Sequence, residues 1–314
     1  MKHMSKPVLF VTGLGRQIDR AENLKALYDA YDAEKKFISM HDMSYSREIH
    51  SGKYGLIIVD IFPTEHPTKT VMIWHAIQGG KYIGLDEKTT YYKRSYADYM
   101  DYIIVAGTGG IDMFNRCTGV SRERILDLGM PRTDMYFKRR KRKTDSKRTY
   151  LYAPTFRNWR ETPLPMVDWE WLDKQLTDDE RLVIKSHPLG YDEDPMRYKH
   201  IVVASKMDPS VNYLFDSDVL ITDYSSIMFD AYLLKKPVVL FEKNPGYVQT
   251  RGMYLKYPDE YCSRYARNEH ELLEQIRSAN RLRTAERKCI EYVADACDGH
   301  SCERICRFID EMKG

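Results

Sequence analysis

Val219-Leu220-Ile221-Thr222-Asp223-Tyr224-Ser225-Ser226-Ile227-Met228-Phe229-Asp230 is a short apolar run that ends in a polar turn and passes directly into an amphipathic helical pattern. An unbroken apolar run bounded by a turn predicts a strand buried on both faces, as in a parallel sheet. The turn places Ser225 and Ser226 where a helix begins. Unpaired backbone N–H groups and the positive end of the helix dipole can hold phosphate oxygens there. Simple capping by Asp223 or Ser225 is the competing reading, and these residues alone leave both open. Strand, turn and helix in this order form the repeating unit of doubly wound α/β domains.

The same alternation runs outward in both directions. Thr149–Ala153, Leu182–Lys185, Ile201–Val203 and Pro237–Phe241 predict further strands, with Trp169–Leu176 and Ile227–Leu234 as helices. Towards the N-terminus, Val8–Thr12, Gly55–Ile61, Val71–Trp74 and Tyr102–Ala106 read as strands, Asn23–Asp32 as a helix and Ser121–Arg124 as a helix start. Between the two series lies a run almost without apolar residues, Lys138-Arg139-Arg140-Lys141-Arg142-Lys143-Thr144-Asp145-Ser146-Lys147-Arg148. The expected organisation is therefore a Rossmann-like domain over residues 1–137, a basic linker over 138–148 and a second Rossmann-like domain over 149–314. The last helix is expected to pack back on the first domain. Two such domains facing each other put the carboxyl ends of their strands across a cleft, where ligands of open α/β sheets bind.

Composition narrows the partners. The 314 residues carry 49 Lys+Arg against 46 Asp+Glu, a formal net charge of +3, which argues against nucleic acid and makes any preference for anions local. The apolar run Val8-Leu9-Phe10-Val11 is too short for a signal peptide or a membrane span, so a cytoplasmic protein is expected. Six cysteines without a C-x-x-C pair read as reduced thiols. Cys302 and Cys306 would share a helix face, yet no His or Cys set completes a metal site, and no metal ligand is assigned.

Three further segments place chemistry at strand ends. Leu182-Val183-Ile184-Lys185-Ser186-His187-Pro188 ends in a cation and an imidazole, which a turn must bring to one ligand. Tyr150-Leu151-Tyr152-Ala153-Pro154-Thr155-Phe156-Arg157 ends in a hydroxyl and a guanidinium. Arg157 can grip a pyrophosphate with its planar donor fork or pair with a carboxylate such as Glu161. Val71-Met72-Ile73-Trp74-His75-Ala76-Ile77-Gln78-Gly79-Gly80-Lys81 puts His75 at a strand end, a natural general base because imidazole titrates near neutral pH. Gly13-Leu14-Gly15 lacks the third glycine of a dinucleotide fingerprint, Ile18 standing in its place.

Taken together and in order, these segments resemble the CDP-glycerol glycerophosphotransferase family, the teichoic-acid primases and polymerases. The resemblance rests on Trp74-His75 with Lys81 and Gly84, Gly129-Met130-Pro131-Arg132-Thr133-Asp134, Tyr152 to Arg157, Lys185 to Pro188, and Asp218 to Asp230 with Lys236-Pro237. Arg251-Gly252 and Asp298-Gly299-His300-Ser301-Cys302-Glu303-Arg304 extend it nearly to the C-terminus. Family members read Trp-His-Gly then Thr-Pro-Leu-Lys where this chain has Ala76 to Lys81, a difference that bears on acceptor choice.

The resemblance implies a GT-B fold, two facing Rossmann-like domains with an interdomain active-site cleft. It implies transfer of a polyol phosphate from CDP-glycerol to an acceptor hydroxyl with release of CMP. His75 and His187 are the catalytic candidates, and Thr155, Arg157, Lys185, His187, Thr222, Asp223, Ser225, Ser226 and Asp230 the donor-binding ones. Lys81, Arg132 and Arg251 are candidates for holding or orienting the acceptor. No obligatory cofactor is expected, although a weakly bound Mg²⁺ is compatible with a pyrophosphate site. The implied acceptor is a lipid-linked or polymeric polyol-phosphate glycan of a wall polymer or capsule, met at the inner face of the cell membrane. The basic run 138–148 supplies attraction to anionic lipid there, or is simply a solvated linker. A CDP-ribitol transferase, a nucleotide-sugar glycosyltransferase and a non-catalytic nucleotide-binding protein are the alternatives on the same architecture.

Overall fold

In a computed structural model, the described residues are 6–15, 21–63, 67–82, 85–86, 89–90, 94–138, 146–155, 167–187, 198–205, 207–242 and 252–313. The chain divides into two compact units. One comprises Met1–Gly79, Ile83–Arg139 and Tyr292–Gly314; the other comprises Gly80–Tyr82 and Arg140–Glu291. This division crosses the sequence-based limits twice, since a three-residue segment within the first 137 residues belongs to the second unit and the last residues belong to the first.

In the first unit, β1 (Val8–Thr12), β2 (Lys35–Ser39), β3 (Leu56–Val59), β4 (Thr70–Ile73), β7 (Tyr102–Ile104) and β8 (Ile125–Leu126) form a sheet in the order β2-β1-β3-β4-β7-β8. Every pairing is parallel. A separate pair, β5 (Leu85–Asp86) and β6 (Thr89–Thr90), is antiparallel. Burial explains the legibility of the central strands, because all residues of β1, β3 and β4 are buried. Around the sheet lie α1 (Glu22–Ala30), α2 (Tyr45–Ile49), α3 (Thr108–Thr118) and α4 (Asp134–Lys138). The helix start expected at Ser121–Arg124 is a single 3₁₀ turn, Arg122–Arg124, because the chain enters β8 at once.

The second unit repeats the theme with a different winding. Here β9 (Arg148–Tyr152), β10 (Glu180–Ile184), β11 (Ile201–Val203), β12 (Val219–Thr222), β13 (Val238–Phe241) and β14 (Tyr265–Ala266) form an all-parallel sheet in the order β11-β10-β9-β12-β13-β14. Its helices are α5 (Trp169–Gln175), α6 (Ser210–Asp216), α7 (Ile227–Leu233), α8 (Glu269–Ser278) and α9 (Thr284–Val293), the last of which runs two residues into the first unit. One face of the sheet buries Tyr150, Tyr152, Ile184, Ile221, Val239 and Phe241 against Trp169, Leu172, Leu272 and Ile276 of α5 and α8. Burying such side chains contributes about 1.5–3 kcal/mol each relative to exposure.

The final helix, α10 (Ser301–Lys313), is anchored in the first unit by a carboxylate. Asp134 accepts from the backbone N–H groups of Ser301 and Cys302 at 2.9 and 2.8 Å, filling orphan donors at the helix start. Arg304 donates to the Leu128 carbonyl and pairs with Asp298. Gly129, at φ +87°, lies where a Cβ would meet the Ala296 carbonyl at 2.5 Å, so only glycine fits the turn. Gly129 to Asp134 and Asp298 to Arg304, two widely separated pieces of the sequence pattern, are thus one structural latch.

Candidate functional site

A doubly wound sheet opens a crevice where neighbouring strands send their connections in opposite directions. In the second unit that point lies between β9 and β12, and the sequence motifs converge on it. Thr222 is fully buried and donates its hydroxyl to the Ala153 carbonyl at 2.6 Å, fastening the two strand ends together. Asp223, the first residue beyond β12, accepts through Oδ1 from the backbone N–H of Thr155 at 2.8 Å and of Tyr224 at 2.6 Å. Its carboxylate therefore shapes the loop after β9. Ser226 occupies the position before α7 and makes no side-chain capping bond. Ser225 and Ser226 are partly exposed, and the carbonyls of both accept the first N–H bonds of α7.

Cations gather on the same side. Lys185, one residue beyond β10, is 1% exposed and donates to the Ser186 carbonyl at 2.9 Å. Burial lowers its pKa, partly offset by Asp208. Lys81 belongs to this unit. It forms an isolated antiparallel bridge with Met253, flanked by hydrogen bonds from Tyr82 to Gly252 and from Tyr254 to Gly80. Its ammonium group lies 3.4 Å from the Thr155 hydroxyl. His187 is partly buried, and burial first, then the charges of Lys81 and Lys185, push its pKa down to about 4. Near neutral pH its ring is therefore uncharged, a hydrogen-bonding group rather than a third cation.

His75 belongs to the first unit, two residues beyond β4, and is exposed. Its neighbour Trp74 packs against Phe62 and Phe114 with ring centroids 5.3 and 5.8 Å away, and against the His75 ring at 4.4 Å. Asn23, 1% exposed in α1, donates to the Trp74 carbonyl at 3.0 Å and accepts from the Arg132 N–H at 3.2 Å. The Arg132 side chain donates to the Tyr136 hydroxyl at 2.9 Å and lies 3.6 Å from Glu22. Arg132 is thus built into the layer behind the His75 turn. The first unit also has its own crevice, between β1 and β3. There Asp60, the first residue beyond β3, accepts from the Thr12 hydroxyl at 2.7 Å and from the Gly13 N–H at 2.8 Å. Burial raises its pKa despite those bonds.

The structure thus gathers Thr155, Lys185, His187, Asp223, Ser225, Ser226 and Lys81 in one unit. Lys81 was expected to hold or orient the acceptor; its bridge to Met253 places it in the second unit, with its ammonium group beside Thr155. Thr222 was expected to touch the donor, and its buried hydroxyl is spent on Ala153. Asp230 is buried within α7, and its carbonyl accepts from the Leu234 N–H. Arg157 and Arg251 lie outside the described residues, as does most of the basic run, residues 139–145. Asn23 and Asp60 went unnoticed in the sequence; for Asp60 the available signal was an acidic residue directly ending an apolar strand. All six cysteines are free thiols. No group of His, Cys, Asp and Glu suited to a metal ion occurs among the described residues, and none of their helices is long and apolar enough to cross a membrane.

Comparison with known proteins gives this arrangement a context. A family model described as CDP-Glycerol:Poly(glycerophosphate) glycerophosphotransferase matches residues 19–311. The teichoic acid glycerol-phosphate primase of Bacillus subtilis (strain 168) is 27% identical over 90% of this chain and 80% of its own length. The teichoic acid poly(ribitol-phosphate) polymerase of Bacillus spizizenii is 27% identical over 80% of this chain, which spans only 45% of that relative's length. Among solved structures, a histidine-to-asparagine variant of the wall teichoic acid polymerase TagF soaked with CDPG aligns with TM-score 0.77 and 17% identity. That alignment covers 98% of this chain and 88% of the other, a likeness of fold.

Proposed function

The chain belongs to the CDP-Glycerol:Poly(glycerophosphate) glycerophosphotransferase family, and from that premise we propose that it transfers glycerol phosphate from CDP-glycerol to an acceptor hydroxyl. The observation that carries the reading is the strap from Asp223 to Thr155 across the β9–β12 crevice, with Lys81 and Lys185 beside it. The pyrophosphate of the donor sits against Lys81, Lys185, Thr155, the Ser225–Ser226 turn and Arg157. Fixed cations and N–H groups there stabilise negative charge as it develops, without reorganising. Neutral His187 donates a hydrogen bond to a phosphate oxygen. Asp223 positions the Thr155 loop.

The acceptor oxygen attacks the phosphorus that bears glycerol, His75 takes the hydroxyl proton, and the bond to the bridging oxygen breaks as CMP leaves. The new bond is a phosphodiester, and no sugar ring reacts. This requires His75 and the donor phosphate to meet over one phosphorus, as the GT-B arrangement would provide. Arg132 and Asn23 hold the turn that carries His75, while Arg251 is left as a candidate acceptor contact. The acceptor we favour is a lipid-linked teichoic-acid or capsule-type chain reached from the membrane surface. No step is routed through a metal.

The test is CMP release from CDP-glycerol, CDP-ribitol and a UDP-sugar in parallel, with a polyol-phosphate acceptor and His75→Ala as control. Acceptor-dependent CMP release lost in the control is the expected result. A larger rate with CDP-ribitol moves the assignment to ribitol phosphate. UDP release alone makes the protein a glycosyltransferase, and donor binding without turnover makes it a binding protein.

A further inference from the structure

At the opposite edge of the second sheet, where strands begin rather than end, Ser263 and Arg264 lead into β14, and the turn from α8 to α9 passes beside them. A cavity of about 560 Å³ opens there, lined by Arg264, Arg281, Arg283 and Arg287, with Leu282 its single large apolar side chain. The Thr155–Asp223 crevice lies at the carboxyl ends of β9 and β12, in the middle of the same all-parallel sheet, whereas Ser263 and Arg264 precede β14 at its edge.

The charge in this cavity is poorly compensated. Arg264 is 1% exposed; its Nη2 donates to the Arg281 carbonyl at 2.9 Å, while Nε and Nη1 make no hydrogen bond. Nη1 stands 3.5 Å from the Glu286 carboxylate, an ion pair without hydrogen-bond geometry. Glu286 is itself fully buried, and its oxygens already accept from the N–H groups of Ser263 and Arg283 at 3.1 and 2.8 Å. Arg283 and Arg287 donate to the main-chain carbonyls of Ser263 and Leu282, which carry no net charge. Among the described residues Arg281, Arg283 and Arg287 form no ion pair, and all three are exposed. Burial first, then the neighbouring Arg283, pull the pKa of Arg264 down, with Glu286 opposing them.

We propose that this cavity is a second anion site, which binds a soluble ligand carrying two or more phosphate groups. A guanidinium offers a planar pair of donors matched to phosphate oxygens, and several around one hollow hold a multiply charged group better than a single charge. The volume lies within the usual range of small-molecule sites, about 300–1,000 Å³. The nearly apolar-free lining excludes a hydrophobic ligand. Buried Arg264 forms the floor, and the three exposed arginines close on the anion from the rim. The site stands independently of the transfer reaction and of its donor.

The test is titration calorimetry with tripolyphosphate on the full chain and on two variants. One is Arg281→Gln/Arg283→Gln/Arg287→Gln; the other is Lys174→Gln, an exposed lysine of α5 outside both places. The expected result is a loss of about tenfold or more in tripolyphosphate affinity in the triple variant, with little change in Lys174→Gln. Unchanged affinity in the triple variant, or an equal loss in Lys174→Gln, overturns the proposal, as does absence of binding. If the triple variant melts at lower temperature, Arg281→Gln alone serves, since its side chain makes no hydrogen bond or ion pair among the described residues. A short glycerol-phosphate oligomer and phosphatidylglycerol vesicles separate the sources of phosphate. Binding of the oligomer supports a soluble ligand, and binding of vesicles alone overturns it.

Discussion

The crevice between β1 and β3 and the crevice between β9 and β12 are built with the same device and furnished differently. In each, a buried aspartate stands one residue beyond its strand and accepts from the end of the neighbouring strand or the loop that follows it: Asp60 from Thr12 and Gly13, Asp223 from Thr155. Around Asp223 stand Lys81, Lys185 and two serines, whereas the described groups bonded to Asp60 are neutral and burial raises its pKa. The device shapes a crevice, and the cations around it decide which one suits a pyrophosphate. The sheets also differ in winding, since the first unit places its second strand at the edge while the second unit places its third there.

The sharpest division between the units is chemical. His75→Ala should lower kcat by about 10²–10⁴-fold, the usual worth of a positioned base, with donor affinity measured by calorimetry unchanged. A loss confined to donor affinity would move His75 out of the proton-transfer role. Next in size, Lys185→Met should weaken donor binding by about tenfold to a hundredfold, the range of a charge-assisted hydrogen bond. Its stability should hold, because a buried ammonium is replaced by an apolar chain of similar length; equal donor binding in this variant would remove the cation argument.

The two aspartates test the comparison directly. Asp223→Ala leaves the Thr155 and Tyr224 N–H groups without their acceptor, and Asp60→Ala does the same to Gly13; each should cost about 1–3 kcal/mol in denaturant unfolding. Only Asp223→Ala should also weaken CDP-glycerol binding. If Asp60→Ala weakens it equally, the donor does not belong to the second unit.

The smallest effect is a pH slope. His187 titrates near 6.5 when unfolded and at about 4 in the fold, so between those values the unfolded chain binds more protons. The stability tied to neutral His187 is complete above pH 6.5 and declines as pH falls towards 4. His187→Gln should flatten that part of the unfolding curve, and an unchanged slope would mean that other groups set it.

Much of the fold could be read from the chain. The expected strands Val8–Thr12, Ile201–Val203 and Val219–Thr222 coincide with β1, β11 and β12. They are unbroken runs of apolar and β-branched residues, which need no partner to be recognised. β2, Lys35-Lys36-Phe37-Ile38-Ser39, was missed because it lies at the sheet edge and its first three residues remain partly or fully exposed. β8 and β14 have two residues each, too few for a period, and exist through pairing with β7 and β13. α3 opens with Thr108-Gly109-Gly110, a poor helical start that packing overrides, with both glycines buried.

By itself the sequence determined the alternation of strands and helices and the order of motifs, because periodicity and turn chemistry act over a few residues. Tertiary structure alone decided that Asp223 reaches Thr155, 68 positions away, and that Lys81 reaches the same threonine across 74. It also decided that Thr222 fastens strands and that Asp134 seats the last helix. Such pairings follow from strand order and from which backbone donors are left unfilled at strand and helix ends. Both properties arise only once the sheets are assembled.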